Sequence, residues 1–290
     1  MEEKNRILKK INNECFGGSE NQLRLLLKYL PDECFKDINL VLNNTAHELL
    51  DKNRINILWM QHFVNQEEAK NLGSKDYVNK LDHIVFNSNW NFEKFVYQFK
   101  IPESKSLVIR NAVEKIPYSE KPKDKINLIY HTTPWRGLVN LLNIFSNLNL
   151  ENVELNVCSS TAIYGKKLES NLEKNYEDLF EKCKNTKHVN YLGFVENSKV
   201  IELLKKTHIY SFPSIWPETS CISAIESLAA GCEVVTTNLG ALYETCSPFG
   251  TLVGFDRDFN KLEKKYREVL LNSIKNFWST ENQNKLRLQR

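Results

Sequence analysis

Short apolar runs alternate with stretches of helical apolar spacing along all 290 residues of the chain. In the first part, the runs that favour buried strands are 38–42, 55–60, 83–86 and 107–110. Apolar residues at helical spacing predict helices over 19–30, 65–81 and 90–98. A half-apolar run at 6–11 is a possible first strand. This alternation predicts βαβ units and a parallel sheet.

The same alternation continues after a charged, proline-bearing stretch at 117–125, which we interpret as an interdomain linker. The later strands are predicted at 126–130, 153–158, 188–192, 208–212, 233–237 and 250–255. The later helices are predicted over 138–147, 166–183, the stretch that ends at Gly231, and 261–290. A chain of this length suits two domains of ordinary size.

The most informative segment is SFPSIWPETSCISAIESLAAG (211–231), which places Glu218 and Glu226 eight positions apart across a strand-to-helix junction. Gly231 is suited to the residue just after a helix. One interpretation makes Ser223 and Glu226 a capping box at the helix start. In the other, the helix begins near Ser220, and backbone N–H groups bind an anion beyond the carboxyl end of the strand. The two carboxylates then accept hydrogen bonds from sugar and ribose hydroxyls.

Five further segments accompany the Glu-x7-Glu segment: GGSE (17–20), VIRNAVE (108–114), LIYHTTPWRGLVNLLNIF (128–145), HVNYLGFVENSKVIELLKKTHIYSF (188–212) and EVVTTNLGALYET (233–245). In their order and spacing, these segments resemble those of retaining glycosyltransferases of family 4. The resemblance implies an α/β fold of the GT-B type, with two Rossmann-like parallel-sheet domains facing a central cleft.

The resemblance also implies a domain organisation. Residues 1–117 would form the N-terminal, acceptor-side domain, which is short for the family, and residues 118–272 the C-terminal domain that binds the nucleotide sugar. Residues 273–290 would form a helix that crosses back to the N-terminal domain, with Phe277 and Trp278 as its anchor.

Roles for single residues follow from the resemblance. Glu218 would bind hydroxyls of the donor sugar and Glu226 those of the ribose, while His62 would orient the sugar. Arg136 takes the position of the family's lysine, and it would neutralise the donor diphosphate. The remaining donor-binding candidates are Gly17, Gly18, His131, Thr219, Ser220, Cys221 and Ile222.

His131 departs from the family pattern, which has a second cation, usually arginine, five residues before the lysine. Two alternatives stay open. Either the imidazole donates a hydrogen bond to a phosphate, or the site has one strong cation fewer.

Charge and cysteine content narrow the function classes. A net charge of +3 is too small to indicate nucleic-acid binding. From Asp256 onwards the chain carries nine Lys or Arg and five Asp or Glu. This tail is either a solvated helix face or a peripheral contact with an anionic membrane or an acidic glycan. Seven cysteines without a Cys-x-x-Cys pair argue against a disulfide framework and a zinc site. A charged N-terminus and the absence of a long apolar run predict a cytoplasmic protein.

The sequence therefore predicts a retaining glycosyltransferase that uses a nucleotide diphosphate sugar and a carbohydrate or lipid-linked acceptor, without metal or other cofactor. Two alternatives stay open. One is a degenerate GT-B protein that binds nucleotide sugar or scaffolds a partner. The other is a sugar-nucleotide 2-epimerase, which the Glu-x7-Glu spacing disfavours.

Overall fold

The chain forms two compact units in a computed structural model that describes residues 2–9, 17–164 and 172–290. The first unit comprises Met1–Ala112 with Glu218–Ser220, and the second comprises Val113–Pro217 with Cys221–Arg290. The division precedes the segment 117–125 that the sequence indicates as a linker. That segment is fixed within the second unit, where the buried ammonium of Lys121 donates hydrogen bonds to the carbonyl oxygens of Leu204 (2.8 Å) and Ala230 (3.0 Å).

A parallel sheet forms the centre of the first unit, and in the described residues its strand order is β1-β2-β3-β4. These strands are β1 (Ile38–Leu42), β2 (Ile55–Met60), β3 (His83–Phe86) and β4 (Ser106–Val108). Successive side chains of a strand point to opposite faces. Leu58 and Met60 accordingly enter one apolar core, while Trp59 enters the other with Leu40. Both faces of this sheet are therefore covered.

The helices of the first unit are α1 (Glu2–Leu8), α2 (Gly18–Tyr29), α3 (Lys75–Asn79) and α4 (Asn89–Phe99). The structure confirms the helices predicted at 19–30 and 90–98. The prediction of a strand at 6–11 is wrong over its described part, because α1 is helical. Asp32 accepts a hydrogen bond from the N–H of Lys4 (3.0 Å), and Arg6 donates to the carbonyl oxygen of Ile38 (2.7 Å). Residues 10 and 11 lie outside the described part of the chain.

The long helix predicted over 65–81 is instead a 3₁₀ helix at Glu67–Gly73 followed by α3. Thr45 provides the physical reason. Its N–H (3.0 Å) and its hydroxyl (2.6 Å) both donate to the carbonyl oxygen of Glu68, which is thereby bonded to a residue outside the helix. The apolar spacing of this stretch indicates that it is buried, but it does not show that Thr45 competes with helical N–H groups for the carbonyl oxygen of Glu68.

The second unit contains a parallel sheet with the order β10-β9-β8-β5-β6-β7 in the described residues. Its strands are β5 (Ile126–Tyr130), β6 (Val153–Val157), β7 (Val189–Tyr191), β8 (Ile209–Phe212), β9 (Glu233–Thr237) and β10 (Thr251–Val253). The strand order reverses direction between β5 and β8, which pair directly. Open α/β sheets bind ligands at the carboxyl ends of the strands at such a switch point. Both sheets confirm the predicted α/β fold class.

Helices cover the sheet of the second unit: α5 (Leu138–Ser146), α6 (Glu177–Asn185), α7 (Asn197–Lys206), α8 (Ile222–Ala229), α9 (Leu242–Cys246), α10 (Phe259–Asn276) and α11 (Thr280–Gln289). Part of the helix predicted over 166–183 lies outside the described residues. The closing stretch is two helices, because Ser279 is extended and its hydroxyl accepts from the N–H of Asn282 at the start of α11.

The final helices are fixed by contacts within the second unit. The buried carboxylate of Glu233, at the start of β9, accepts hydrogen bonds from Ser273 (2.7 Å) and Asn282 (3.2 Å). The rings of Phe277 and Trp278 pack edge-on against His208. The predicted packing of this segment on the N-terminal domain stays a prediction. Within the described part of the chain, the helices are all too short or too polar to cross a lipid bilayer.

Candidate functional site

The start of α8 has an unusual backbone conformation. The helix begins at Ile222, two residues later than the start that we predict from the sequence, and Cys221 precedes it with φ +72° and ψ +79°. This left-handed conformation favours glycine, and it strains a residue with a Cβ by about 1–2 kcal/mol. Strained residues cluster at functional sites because surrounding contacts hold them there. We therefore regard the N-terminus of α8 as a candidate ligand site.

The capping-box interpretation of Ser223 and Glu226 is wrong. Ser223 lies inside α8, where its hydroxyl contacts the Tyr210 hydroxyl (2.9 Å) and the Cys221 sulfur (3.3 Å). The Glu226 carboxylate instead accepts a hydrogen bond through Oε1 from the side-chain amide of Asn197, at 2.8 Å. Glu226 is thus oriented by α7 rather than by its own helix start.

The Glu226 side chain is almost completely buried, with 9% of the residue exposed. Burial raises the pKa of this carboxyl group, and the amide of Asn197 partly opposes the shift. Burying a carboxylate costs free energy that a single neutral hydrogen bond does not offset. A carboxylate kept in such a place is a candidate for function.

The C-terminal end of α8 is fixed by several contacts. Gly231 has φ +72°, and the N–H groups of Gly231 and Cys232 donate to the carbonyl oxygens of Leu228 (3.0 Å) and Ser227 (2.9 Å). This is a Schellman motif, which confirms the prediction for Gly231. Lys121 caps the ends of α7 and α8 through Leu204 and Ala230.

His131 follows β5 and lies against the inner side of α8. Its Nε2 is 3.0 Å from the Ser227 hydroxyl, and its ring packs edge-on against Tyr210 at 4.8 Å between centroids. Nδ1 is 4.0 Å from Oε2 of Glu226. Burial lowers the pKa of His131 to about 3, so the imidazole is neutral near pH 7. A charged imidazole, one of the forms in which His131 could donate to a phosphate, is therefore disfavoured.

Arg136 lies in a short 3₁₀ helix, Pro134–Arg136, that ends at Gly137. Its carbonyl oxygen accepts from the N–H of Ile215 (3.2 Å), so the loop after β5 is joined to the loop after β8. Gly137 has φ +130°, and an added Cβ would lie 2.3 Å from the carbonyl oxygen of Pro213. Only glycine fits this position.

Three of the predicted site residues, Glu218, Thr219 and Ser220, group with the first unit. The Thr219 hydroxyl donates to the carbonyl oxygen of Gln61 (2.8 Å) and accepts from the side-chain amide of Asn87 (3.1 Å). Glu218 and Ser220 are buried, with 4% of each exposed. Thr219 thus joins the polar groups that follow β2 and β3.

His62 lies in the same polar region, after β2. The side-chain amide of Asn91 donates to its carbonyl oxygen (3.3 Å), and the ring Nδ1 is 3.9 Å from Glu68 Oε2. Among the described residues, Nδ1 has no hydrogen-bond partner although it is buried. Burial lowers the pKa of His62, while the carboxylates of Glu68 and Glu20 oppose the shift. A neutral His62 is the expected form at pH 7.

The glycine pair lies at the start of α2, where Gly17 is the N-cap residue with φ −63° and ψ 167° and Gly18 is the first helical residue. Farther along α2, Gln22 exchanges two hydrogen bonds with the backbone of Ala112 (2.7 and 3.0 Å). The glycine pair therefore places no side chain beside the backbone N–H groups at this helix end.

Sequence reasoning missed the polar residues that orient these groups: Asn43, Gln61, Asn87, Asn91 and Asn197. Oδ1 of Asn43 accepts from the N–H of Gln61 at 2.6 Å. Asn43, Gln61 and Asn87 directly follow β1, β2 and β3. The sequence therefore does contain a signal for them, a polar residue immediately after each of these strands. Asn197 has no such signal, because its partner Glu226 is far away in the sequence.

An Asp-x-Asp triplet, which can supply two carboxylates to a divalent cation, occurs at Asp256 to Asp258. Its carboxylates have structural partners. Asp256 accepts from the N–H of Asp258 (3.0 Å), and Asp258 caps α10 through the N–H groups of Asn260 (3.1 Å) and Lys261 (3.3 Å). Across residues 2–9, 17–164 and 172–290, we find no group of three His, Cys, Asp or Glu side chains placed to hold a metal ion.

In the described part of the chain, Cys34, Cys158, Cys183, Cys221, Cys232 and Cys246 are free thiols, and all of them except Cys34 are buried.

Comparison with known proteins identifies the family. The model of the glycosyl transferases group 1 family matches residues 113–286. The chain therefore belongs to this family. A search of curated protein sequences finds no match.

Solved structures support the fold. Anabaena Alr3699/HepE, in complex with UDP and glucose, is 16% identical with a TM-score of 0.66, over 96% of this chain and 79% of HepE. The pneumococcal O-GlcNAc transferase GtfA, in complex with UDP and GlcNAc, is 11% identical with a TM-score of 0.63, over 86% of this chain and 53% of GtfA. Sucrose-phosphate synthase from Thermosynechococcus elongatus is 15% identical with a TM-score of 0.59, over 82% of this chain and 64% of the synthase. The chain thus spans only about half to two thirds of the latter two proteins.

Proposed function

We propose that this protein transfers a sugar from a nucleoside diphosphate sugar to an acceptor hydroxyl, with retention of the anomeric configuration. The observation that carries the proposal is the buried Glu226 carboxylate, oriented by Asn197, on a helix that starts beyond the switch point of the second sheet. Helix N-termini bind phosphate groups, and a carboxylate close by accepts hydrogen bonds from ribose hydroxyls. Retention rests on the resemblance to family 4 alone.

Each candidate residue has a role in this proposal. Glu226 binds the ribose, and the N–H groups at the start of α8 stabilise the diphosphate as it leaves. Arg136 adds a positive charge near the same groups. In the first unit, Glu218 binds hydroxyls of the donor sugar and His62 orients the sugar. Gly17 and Gly18 allow close approach of a backbone to the donor.

UDP-sugars are the first donors to test, because two similar structures were determined with UDP and a sugar. A thermal-shift screen with UDP, GDP, ADP and their sugars measures this directly, since a ligand that binds only the folded state raises Tm by mass action. If none of these compounds raises Tm at millimolar concentration, the proposal is wrong.

The chemistry needs a second assay. A transferase slowly hydrolyses its donor when acceptor is absent, and chromatography detects the released nucleoside diphosphate. We expect this release to persist in EDTA, with the helix end and Arg136 acting in place of a divalent ion. A loss of release in EDTA that Mg²⁺ or Mn²⁺ restores would show that the enzyme needs a metal.

A second candidate is a protein that binds nucleotide sugar without turnover. The neutral, buried His131 favours it, because a strong cation of the family pattern is missing there. Donor binding with no release of nucleoside diphosphate above that of a buffer blank would support this candidate.

A further inference from the structure

His131 is held in one orientation by a chain of hydrogen bonds. The Ser227 hydroxyl donates to the carbonyl oxygen of Ser223 at 2.7 Å. A hydroxyl has a single hydrogen; we assign it to the Ser223 carbonyl, so that Ser227 accepts from Nε2 of His131, 3.0 Å away. In a neutral imidazole the other nitrogen is then a hydrogen-bond acceptor. Nδ1 therefore presents a lone pair.

A carboxylate oxygen of Glu226 lies near Nδ1. Nδ1 is 4.0 Å from Oε2 of Glu226, which is too long for a hydrogen bond between them. The other carboxylate oxygen, Oε1, already accepts from Asn197. Two acceptors thus lie side by side in a nearly buried place, with side-chain exposures of 5% for His131 and 11% for Glu226.

We propose that His131 is a specificity-determining residue that accepts a hydrogen bond from one ribose hydroxyl of the nucleotide, while Glu226 Oε2 accepts from the adjacent one. The inference rests on the proposed function, and it deepens it. The two acceptor atoms, Nδ1 of His131 and Oε2 of Glu226, are 4.0 Å apart. This spacing suits a vicinal diol, in which each of two neighbouring hydroxyls has one hydrogen to donate. His131 then recognises the ribose and leaves the diphosphate to Arg136 and α8.

The test compares a nucleoside diphosphate with its 2′-deoxy and 3′-deoxy analogues by calorimetry, using whichever of UDP, GDP and ADP gives the largest thermal shift. These probes lack the donor sugar, so any hydroxyl effect belongs to the ribose. For the unmodified protein, we expect each deoxy analogue to bind on the order of tenfold more weakly, because a buried acceptor loses its partner.

Variants of His131 identify which hydroxyl it binds. His131→Phe keeps a ring but has no acceptor, so the penalty for one of the two analogues should shrink to less than twofold while the other remains. His131→Asn places an amide oxygen near the position of Nδ1, and it should restore the lost penalty at least in part. Glu226→Gln should reduce the penalty for the other hydroxyl. His83→Phe, at an exposed histidine of the first unit, is the matched control.

Several outcomes decide the inference. If the unmodified protein binds both deoxy analogues as tightly as the parent, or if His131→Phe leaves both penalties intact, the inference is wrong while the proposed function survives. An equal loss of affinity for all three ligands in His131→Phe would also overturn it, because His131 would then be a packing residue or a phosphate ligand. Failure of every nucleoside diphosphate to bind would instead contradict the proposed function. Tm values of the variants show whether each one is folded.

Discussion

The backbone of Gly137 lies so close to Pro213 that a methyl group at position 137 would be 2.3 Å from the carbonyl oxygen of Pro213. This contact joins the loop after β5, which carries His131 and Arg136, to the loop after β8. The two loops meet at the switch point of the second sheet. A residue without a Cβ is therefore required at position 137, where these two loops meet.

Gly137→Ala should lower the free energy of unfolding by at least about 1–3 kcal/mol, the usual cost of a strained backbone, because φ +130° and the Pro213 contact both exclude a Cβ. Urea denaturation measures the change. Gly254→Ala is the matched control, since a Cβ there would have no heavy atom within 4 Å. Equal stabilities of the two variants would contradict the proposed contact.

Because the backbone at Cys221 is left-handed, we expect a glycine variant at this position to be more stable than an alanine variant, the reverse of the usual order within a helix. Cys221→Gly should be more stable than Cys221→Ala by about 1 kcal/mol, because both lose the thiol and only glycine adopts φ +72° without strain. The control is Cys183 in α6, also buried, where alanine should be more stable than glycine by about 1 kcal/mol. Finding the same order at both positions would show that Cys221 is unstrained.

We expect the hydrogen bonds of Lys121 to stabilise the C-terminal ends of α7 and α8. Lys121→Met keeps most of the side-chain volume, but it leaves the buried carbonyl oxygens of Leu204 and Ala230 without this donor. The free energy of unfolding should fall by about 1–3 kcal/mol. Lys123→Met removes a neighbouring exposed lysine and should change stability by less than about 0.5 kcal/mol. Similar values for the two variants would mean that Lys121 contributes no more than a surface lysine.

Much of the second unit was predictable from sequence, because its local signals agree with its tertiary contacts. Gly231 ends α8 where only a left-handed residue fits, and the short apolar runs form the strands of a sheet that is buried on both faces. The backbone conformation of Cys221 was not predictable, because a cysteine carries no signal for positive φ. The partnership of Glu226 with Asn197 joins two helices, and no local pattern reports such a pairing.

The first unit shows how tertiary contacts overrule local pattern. The half-apolar run that includes Arg6 reads as a weak strand, yet α1 is helical because Asp32 accepts from its first turn and Arg6 donates to strand-end carbonyl groups. The helix predicted over 65–81 changes type because Thr45 donates to the carbonyl oxygen of Glu68. In both cases the deciding partner is distant in sequence.

The buried carboxylate of Glu226 should lower the stability of the folded protein, although it strengthens nucleotide binding. Burial raises its pKa, so ionisation of Glu226 destabilises the folded protein. This group adds stability below the ordinary pKa of a glutamate, and that stability is lost as pH rises through the raised value. Glu226→Gln should therefore be more stable than the unmodified protein at pH 7, and the difference should shrink towards pH 4. Thermal unfolding between pH 4 and 8 measures it.

The same variant should bind nucleoside diphosphate more weakly, by about 1–3 kcal/mol, because a neutral amide is a poorer acceptor for ribose hydroxyls. Glu268→Gln, at an exposed position of α10, should change neither property. A gain in stability without a loss of affinity would show that Glu226 is buried for a reason other than ribose binding.

Glu218→Gln is the sharpest test of the proposed chemistry, because it keeps the size of the side chain while it removes the charge beside the donor sugar. If Glu218 acts in the transition state, kcat for transfer or donor hydrolysis should fall on the order of 100-fold, as when one preorganised electrostatic contact is lost. Affinity for the free nucleoside diphosphate should stay within about twofold, since that ligand has no sugar to contact Glu218. Glu268→Gln again serves as the control, and Tm confirms that both variants fold. A normal kcat would exclude Glu218 from catalysis. If affinity for the free nucleoside diphosphate fell together with kcat, Glu218 would be a structural residue of its loop. A residue that contacts only the sugar should lower kcat and leave that affinity unchanged.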